Sequence, residues 1–190
     1  DSTAYLSYAI SISTLIVAVL GPVLGTVADG KNRKKPLFAL FMMTGVLGCA
    51  ALALPKSAIL FLAVFVITKV GFSGSLIFYD SMLVDVTTDE RMDDVSSQGY
   101  AWGYIGSCVP FIASLALIFG ADHIGISGTA ATAGAFIINA LWWAVVTIPL
   151  LKNYKQNYYV KAKTNGVKET IKRLETVCGE IRNDKKVFLF

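Results

Sequence analysis

Residues 5–28 read YLSYAISISTLIVAVLGPVLGTVA, residues 29–36 read DGKNRKKP, and residues 37–54 read LFALFMMTGVLGCAALAL. The two outer stretches hold no charged residue, and the turn between them holds Asp29, Lys31, Arg33, Lys34 and Lys35. A bilayer core about 30 Å thick takes roughly 20 helical residues to cross. Both outer stretches are of that size, and neither keeps the polar stripe of a helix on a soluble domain. The reading is two transmembrane helices joined by a short basic turn. Pro36 suits the first turn of the second helix, where a backbone N–H has no intrahelical partner to lose.

Three more apolar runs follow, at residues 59–79 with a possible extension to Val86, at 98–120 and at 129–151. Of the 190 residues, 55% are hydrophobic and 16% charged, with a mean hydropathy of +0.60. A soluble domain needs more charge to cover its surface. The expected fold class is therefore all-α, a polytopic bundle of about five transmembrane helices occupying residues 1–153. Residues 154–186 form a different kind of segment. There Val167, Ile171, Leu174, Val177, Cys178 and Ile181 recur every three or four positions, with Lys168, Lys172, Arg173 and Glu175 between them. That spacing predicts a basic amphipathic helix, either on the inner membrane surface or under the bundle. Val187-Phe188-Leu189-Phe190 reads as the opening of another span. No basic stretch precedes the first apolar run, so no secretory signal is expected. Both ends of the chain read as cuts.

Orientation follows from the distribution of the 17 lysines and arginines. Four lie in the first loop, Arg91 lies in the third, and ten follow the fifth span. The opposite side has Lys56, and Lys69 lies within a span. Positive charge accumulates on the cytoplasmic side, which puts the first loop and the basic segment inside and Asp1 outside. The net charge of +4 thus points to topology and gives no reason to expect nucleic acid as a partner. Cys49 and Cys108 lie in apolar runs and Cys178 in the basic segment, without metal-ligand or disulfide spacing. No metal or cofactor is expected.

The first loop, Gly25-Thr-Val-Ala-Asp29-Gly30-Lys31-Asn32-Arg33-Lys34-Lys35, resembles the signature of the major facilitator superfamily between its second and third helices. Gly25, Asp29, Lys34 and Lys35 match. Gly30 stands where a basic residue is usual, and Asn32 replaces a glycine while tolerating the same left-handed turn. Gly25 would let another helix approach closely. Asp29, at a helix end, would pair with a basic group or helix N-terminus of the protein's other half, the contact thought to latch the cytoplasmic side of this superfamily. Three later segments resemble one branch, the autophagy-related vacuolar amino-acid effluxers and their bacterial relatives. These are Phe78-Tyr79-Asp80, the run from Ser97 through Gly99, Ala101, Gly103 and Tyr104 to Gly106, and Trp142-Trp143 before Pro149. The resemblance covers roughly residues 1–155 and makes the five spans helices two to six of a twelve-helix fold. It implies a secondary transporter working by alternating access, most naturally amino-acid efflux.

Several residues are candidates for transport. Lys69 is the only basic residue well inside a span. A charge at that depth costs at least about 2.5–3.5 kcal/mol on insertion scales, so it faces a cavity or a partner. With Gly71 and Gly74 it resembles a basic motif of the superfamily's fourth helix. It would bind a substrate carboxylate or couple protons, or else pair structurally with an acid from elsewhere. Tyr79 and Asp80, at the inner end of the same helix, are candidates for an inner gate. Asp80 and Asp85 are read first as solvated or paired with basic loop residues, the inner gate, which Asp85 would share and Tyr79 would plug, being the sharper alternative. Gly71 and Gly74, and on the next helix Gly99, Gly103 and Gly106 with Ser107 and Pro110, form small-residue faces that favour close helix packing. Asn139 is a candidate interhelical hydrogen-bonding group. Trp102, Trp142 and Trp143 could stack on substrate, but read first as packing or interface anchors.

An enzyme would need a catalytic constellation. The single histidine, His123, sits beside Asp122 in a short outer loop, and no zinc-protease or serine-elbow motif exists. No catalytic residue is assigned. A membrane scaffold or sensor that moves no solute is the other competing class. The partners expected are a small-molecule substrate, membrane lipid and the C-terminal half of the same transporter. The location expected is the plasma membrane in a bacterium, or a vacuolar or similar membrane in a eukaryote.

Overall fold

The computed structural model describes residues 2–55 and 57–159. The expectations for the amphipathic helix around Val167–Ile181 and for a further span from Val187 lie outside these residues, as does Lys56. Among the described residues all regular structure is helical: α1 (Ser2–Ala28), α2 (Lys34–Ala51), α3 (Ala58–Ser81), the single turn α4 (Leu83–Val86), a 3₁₀ turn (Asp89–Arg91), α5 (Met92–Phe119) and α6 (Gly128–Asn153). Among the described residues, five helices are long and apolar enough to cross a membrane.

The ends differ from the sequence expectation in informative ways. α2 starts at Lys34 and stops at Ala51, so the basic pair Lys34-Lys35 lies inside the helix and Pro36 lies in its first turn. α3 does not run on to Val86. It ends at Ser81, and α4 follows as a separate turn across Met82. α5 begins at Met92, six residues before the apolar run, and carries Asp93 and Asp94 in its first turn. Acids there are favoured by the positive end of the helix dipole. Ser57 and Ser127 cap α3 and α6, each accepting a hydrogen bond from the backbone N–H three residues on.

α3 packs against both α1 and α2, α5 packs against α6, and α2 joins the two groups by packing on α6. Small residues set the closest approaches. A methyl group at Gly71 would lie 2.6 Å from the backbone nitrogen of Gly45, so only hydrogen fits where α2 and α3 cross. Gly45 in turn receives the Trp143 ring, and Gly74 receives that of Phe41. Trp143 meets Phe72 edge-on at 5.6 Å. Between α5 and α6, Asn139 Nδ2 donates to Ser114 Oγ at 3.0 Å. The best-buried cluster, which includes Ala28, Phe38, Met42, Phe78, Met82 and Tyr154, lies toward the end where α1 and α3 finish and α2 begins. Elsewhere large apolar side chains such as Leu15, Leu47, Phe111 and Leu141 face outward, as lipid-facing or helix-facing surfaces of a membrane bundle do.

Candidate functional site

The α1–α2 turn is built by its own sequence. Asn32 has φ of 58°, the one non-glycine residue with positive φ among those described, and its short amide side chain tolerates that conformation. Gly30 is buried, and a methyl group there would lie 2.8 Å from Arg33 Cδ. The turn sends two adjacent lysines to different places. Lys34 is buried, whereas Lys35 remains partly exposed.

Lys34 reaches Asp85 in α4. Its Nζ donates to Asp85 Oδ2 at 2.9 Å and to the Ser81 carbonyl at the end of α3, also at 2.9 Å. The pair is shut off from solvent, with the lysine side chain 5% exposed and the aspartate 0%. Burial alone raises the energy of such a pair, and it persists only where every lone pair is satisfied. Asp85 meets that condition. Oδ2 also accepts from Tyr154 Oη at 2.6 Å, while Oδ1 accepts from the backbone N–H groups of Asn157 and Tyr158, both at 2.8 Å. Four donors fill a carboxylate's four acceptor sites. Burial pushes the Asp85 carboxyl up, but the bonds from Lys34, Tyr154, Tyr158 and Asn157 outweigh it and hold it below the usual carboxylate range. The Tyr154 hydroxyl is pushed above its usual range by burial and by donating to that carboxylate.

The residues after α6 thus run back under the bundle. Between the two ends of this strap, Gln156 touches the α1–α2 turn. Its Oε1 accepts from the N–H groups of Arg33 at 3.1 Å and Lys34 at 3.4 Å, and its Nε2 faces the carbonyls of Gly30 at 3.1 Å and Ala28 at 3.4 Å. Residues 28–34, 81–85 and 154–158 therefore meet at one end of the bundle, the end that the lysine and arginine count assigns to the cytoplasm. A buried, fully bonded acid at Asp85 has only a weak sequence signal, its neighbours Leu83, Val84 and Val86. Nothing local to Tyr154 or Gln156 points to their roles.

The sequence candidates do not converge on one point. Asp29 is exposed and forms no salt bridge among the described residues. No atom lies within 4 Å of a methyl group placed on Gly25. Lys69, halfway along α3, is partly exposed, with Nζ 5.5 Å from the Phe72 ring centroid and no described acid in salt-bridge range. Tyr79 and Asp80 are both exposed at the end of the same helix. On α5 the three glycines differ from those of α3. Gly103 and Gly106 face open space and Gly99 has only Tyr79 Oη, at 3.8 Å. An open groove of about 360 Å³ between α1, α2 and α3 is lined by apolar residues such as Ile16, Leu40, Val66 and Val70, and Lys69 is not among them. Among the described residues no group of three His, Cys, Asp or Glu side chains could hold a metal.

Comparison with known proteins adds to this geometry. The family model described as Major Facilitator Superfamily matches residues 2–190. A Bacillus subtilis (strain 168) protein named uncharacterized MFS-type transporter YxiO is 45% identical over 194 residues, a match that takes in 100% of this chain and 45% of that protein. The chain thus spans somewhat less than half the length of that relative. No solved structure matches the chain.

Proposed function

The chain belongs to the Major Facilitator Superfamily, and on that premise we propose that it is the N-terminal part of a secondary transporter that moves a small metabolite by alternating access. Its five spans are helices two to six, by the register of the signature loop. The observation that carries this reading is the family match over the whole five-helix bundle. The site geometry supports it in detail. Asp29 lies just past the C-terminus of α1, where its charge adds to the negative end of the helix dipole. A cation or helix N-terminus brought beside it would pair with it, and in this reading the C-terminal half of the transporter supplies one when the cytoplasmic side closes. Gly25, one turn earlier, leaves room for that half to approach. Lys35 joins this surface, whereas Lys34 is committed to Asp85. Lys69 is the candidate contact for a substrate carboxylate or for proton coupling, with Tyr79 and Asp80 at the inner gate.

The substrate class we propose is amino acids, moved outward, because Phe78-Tyr79-Asp80, the glycine run of α5 and Trp142-Trp143 resemble the vacuolar effluxer branch. The test is flux of labelled amino acids by the full-length protein in proteoliposomes under an imposed proton gradient. Uptake or exchange of one class above protein-free vesicles is expected. A folded, correctly inserted protein that moves no solute would overturn transport and favour a scaffold or sensor.

A further inference from the structure

We propose that Gln156 is the positioning residue of the α1–α2 turn, so that the chain leaving α6 sets where the turn holds Asp29. The turn joins a helix C-terminus to a helix N-terminus, and both leave backbone groups without intrahelical partners. Arg33, in the N-cap position of α2, makes no side-chain cap, and no acid lies in the first turn of α2. The Gln156 carboxamide takes over both tasks. Its oxygen accepts from the N–H groups of Arg33, the N-cap residue, whose N–H also bonds the Gly30 carbonyl within the turn, and of Lys34, the first residue of α2. Its nitrogen faces the carbonyls of Gly30 in the turn and Ala28, the last residue of α1. The nitrogen has two hydrogens for three carbonyls, so Gly30 and Tyr158, both at 3.1 Å, take the direct bonds and Ala28 at 3.4 Å shares. Reversing the amide would set oxygen against carbonyls and nitrogen against N–H groups, so its orientation is fixed by its partners.

The strap that carries Gln156 is anchored on both sides. Before it, the Tyr154 ring is buried and its hydroxyl bonds Asp85. After it, the Asn157 and Tyr158 N–H groups bond the same carboxylate, and Lys31 of the turn stands 5.5 Å from the Tyr159 ring centroid. Asp85 therefore holds the strap, and the strap holds the turn. A side chain more than 120 positions away in sequence does what a local cap does elsewhere. Displacing the residues that follow α6 would withdraw both caps at once and free Asp29 to move. This step rests on the transport reading only for calling the turn a gate. The capping itself stands on the contacts.

The test uses the full-length protein with its native cysteines replaced and with Ala28→Cys, buried at the end of α1, as a reporter, labelled by a membrane-impermeant maleimide in inside-out vesicles. Gln156→Met keeps the length of the side chain and removes all its hydrogen bonds. Labelling of Ala28→Cys is expected to speed up at least severalfold, and flux to fall with no loss of the inserted, folded fraction. Tyr154→Phe, which keeps the buried ring and drops one bond to Asp85, is expected to move labelling the same way by less. Lys155→Gln, an exposed neighbour, is expected to leave it unchanged. Should Gln156→Met unfold the protein, Tyr154→Phe and the milder Gln156→Glu, which keeps the acceptor and loses the donor, carry the test. Unchanged labelling in Gln156→Met, or in both substitutes, would overturn the proposal. Should the unsubstituted protein move no solute, the transport reading fails while the labelling comparison still decides the role of Gln156.

Discussion

Asp85 is the residue on which the described end of the bundle depends. Removing one partner of a buried, fully bonded ion pair leaves the other charge stranded, which typically costs about 3–5 kcal/mol. Asp85→Asn is accordingly expected to lower the melting temperature sharply, measured in detergent on the full-length protein. Lys34→Met in the same background is expected to recover part of the loss, because the stranded ammonium is gone. Independent, additive losses would mean that the two side chains do not act as a pair. The pH dependence has a definite sign. The folded-state value of the Asp85 carboxyl lies below its ordinary value. The anchor's stabilisation is therefore complete above about pH 4 and is lost only as the pH falls through the lower folded value. Hydrogen exchange at the Tyr158 amide, corrected for its intrinsic rate, is expected to stay protected from neutral pH down to that range. Lys69 makes a different prediction. It has no described acid in salt-bridge range, so Lys69→Ala is expected to abolish substrate binding without a comparable fall in melting temperature, and Lys69→Arg to keep part of the binding. An alanine variant that binds normally would remove Lys69 from the site.

Among the helices, glycines divide into two groups that their sequence spacing does not separate. At the α2–α3 crossing, Gly71→Ala gains up to about 1 kcal/mol of helix propensity. It also drives a methyl group against the backbone of Gly45, which no side-chain rearrangement relieves. Overpacking of this kind costs about 1–3 kcal/mol, so net destabilisation is expected in thermal melts. The α5 face has no such neighbour among the described residues, since Gly103 and Gly106 have nothing within 4 Å of an added methyl group. We propose that this face packs on a helix from the rest of the transporter. Gly103→Leu is then expected to lower the melting temperature of the full-length protein. An unchanged melting temperature would assign the face to lipid.

For the whole molecule the orientation is the exposed claim. The network of Asp85 and Gln156 brings the first loop, the end of α3 and the residues after α6 to one side. Cysteines placed at Lys31 and Lys155 are therefore expected to label from the same side of the membrane, whichever side that is. Positive charge names it as the cytoplasm. Labelling of both from outside sealed cells would reverse the orientation and leave the fold intact. Labelling of the two from opposite sides would contradict the fold itself.

The five spans could be read from the sequence because each depends on a local property, a run of apolar residues long enough to cross a bilayer. The reversal of the chain between α1 and α2 could be read for the same reason, since Asn32 tolerates the left-handed conformation that the turn requires. The ends of α2 and α5 were less legible. Hydropathy marks where the bilayer stops, and both helices continue past it on segments that carry polar residues, Lys34 and Lys35 in one and Asp93, Asp94, Ser96 and Ser97 in the other. The burial of Lys34 was not legible at all. In sequence it is one of four basic residues in a solvated loop. Only the fold brings Asp85 from 51 positions away and the strap from 122 positions away to enclose it. A buried charge is tolerated where donors and acceptors from separate segments converge, and that convergence is a property of the packed bundle. Local chemistry determined which segments cross the membrane, and the packing of the helix ends determined which charges became structural and which, like Asp29, stayed exposed.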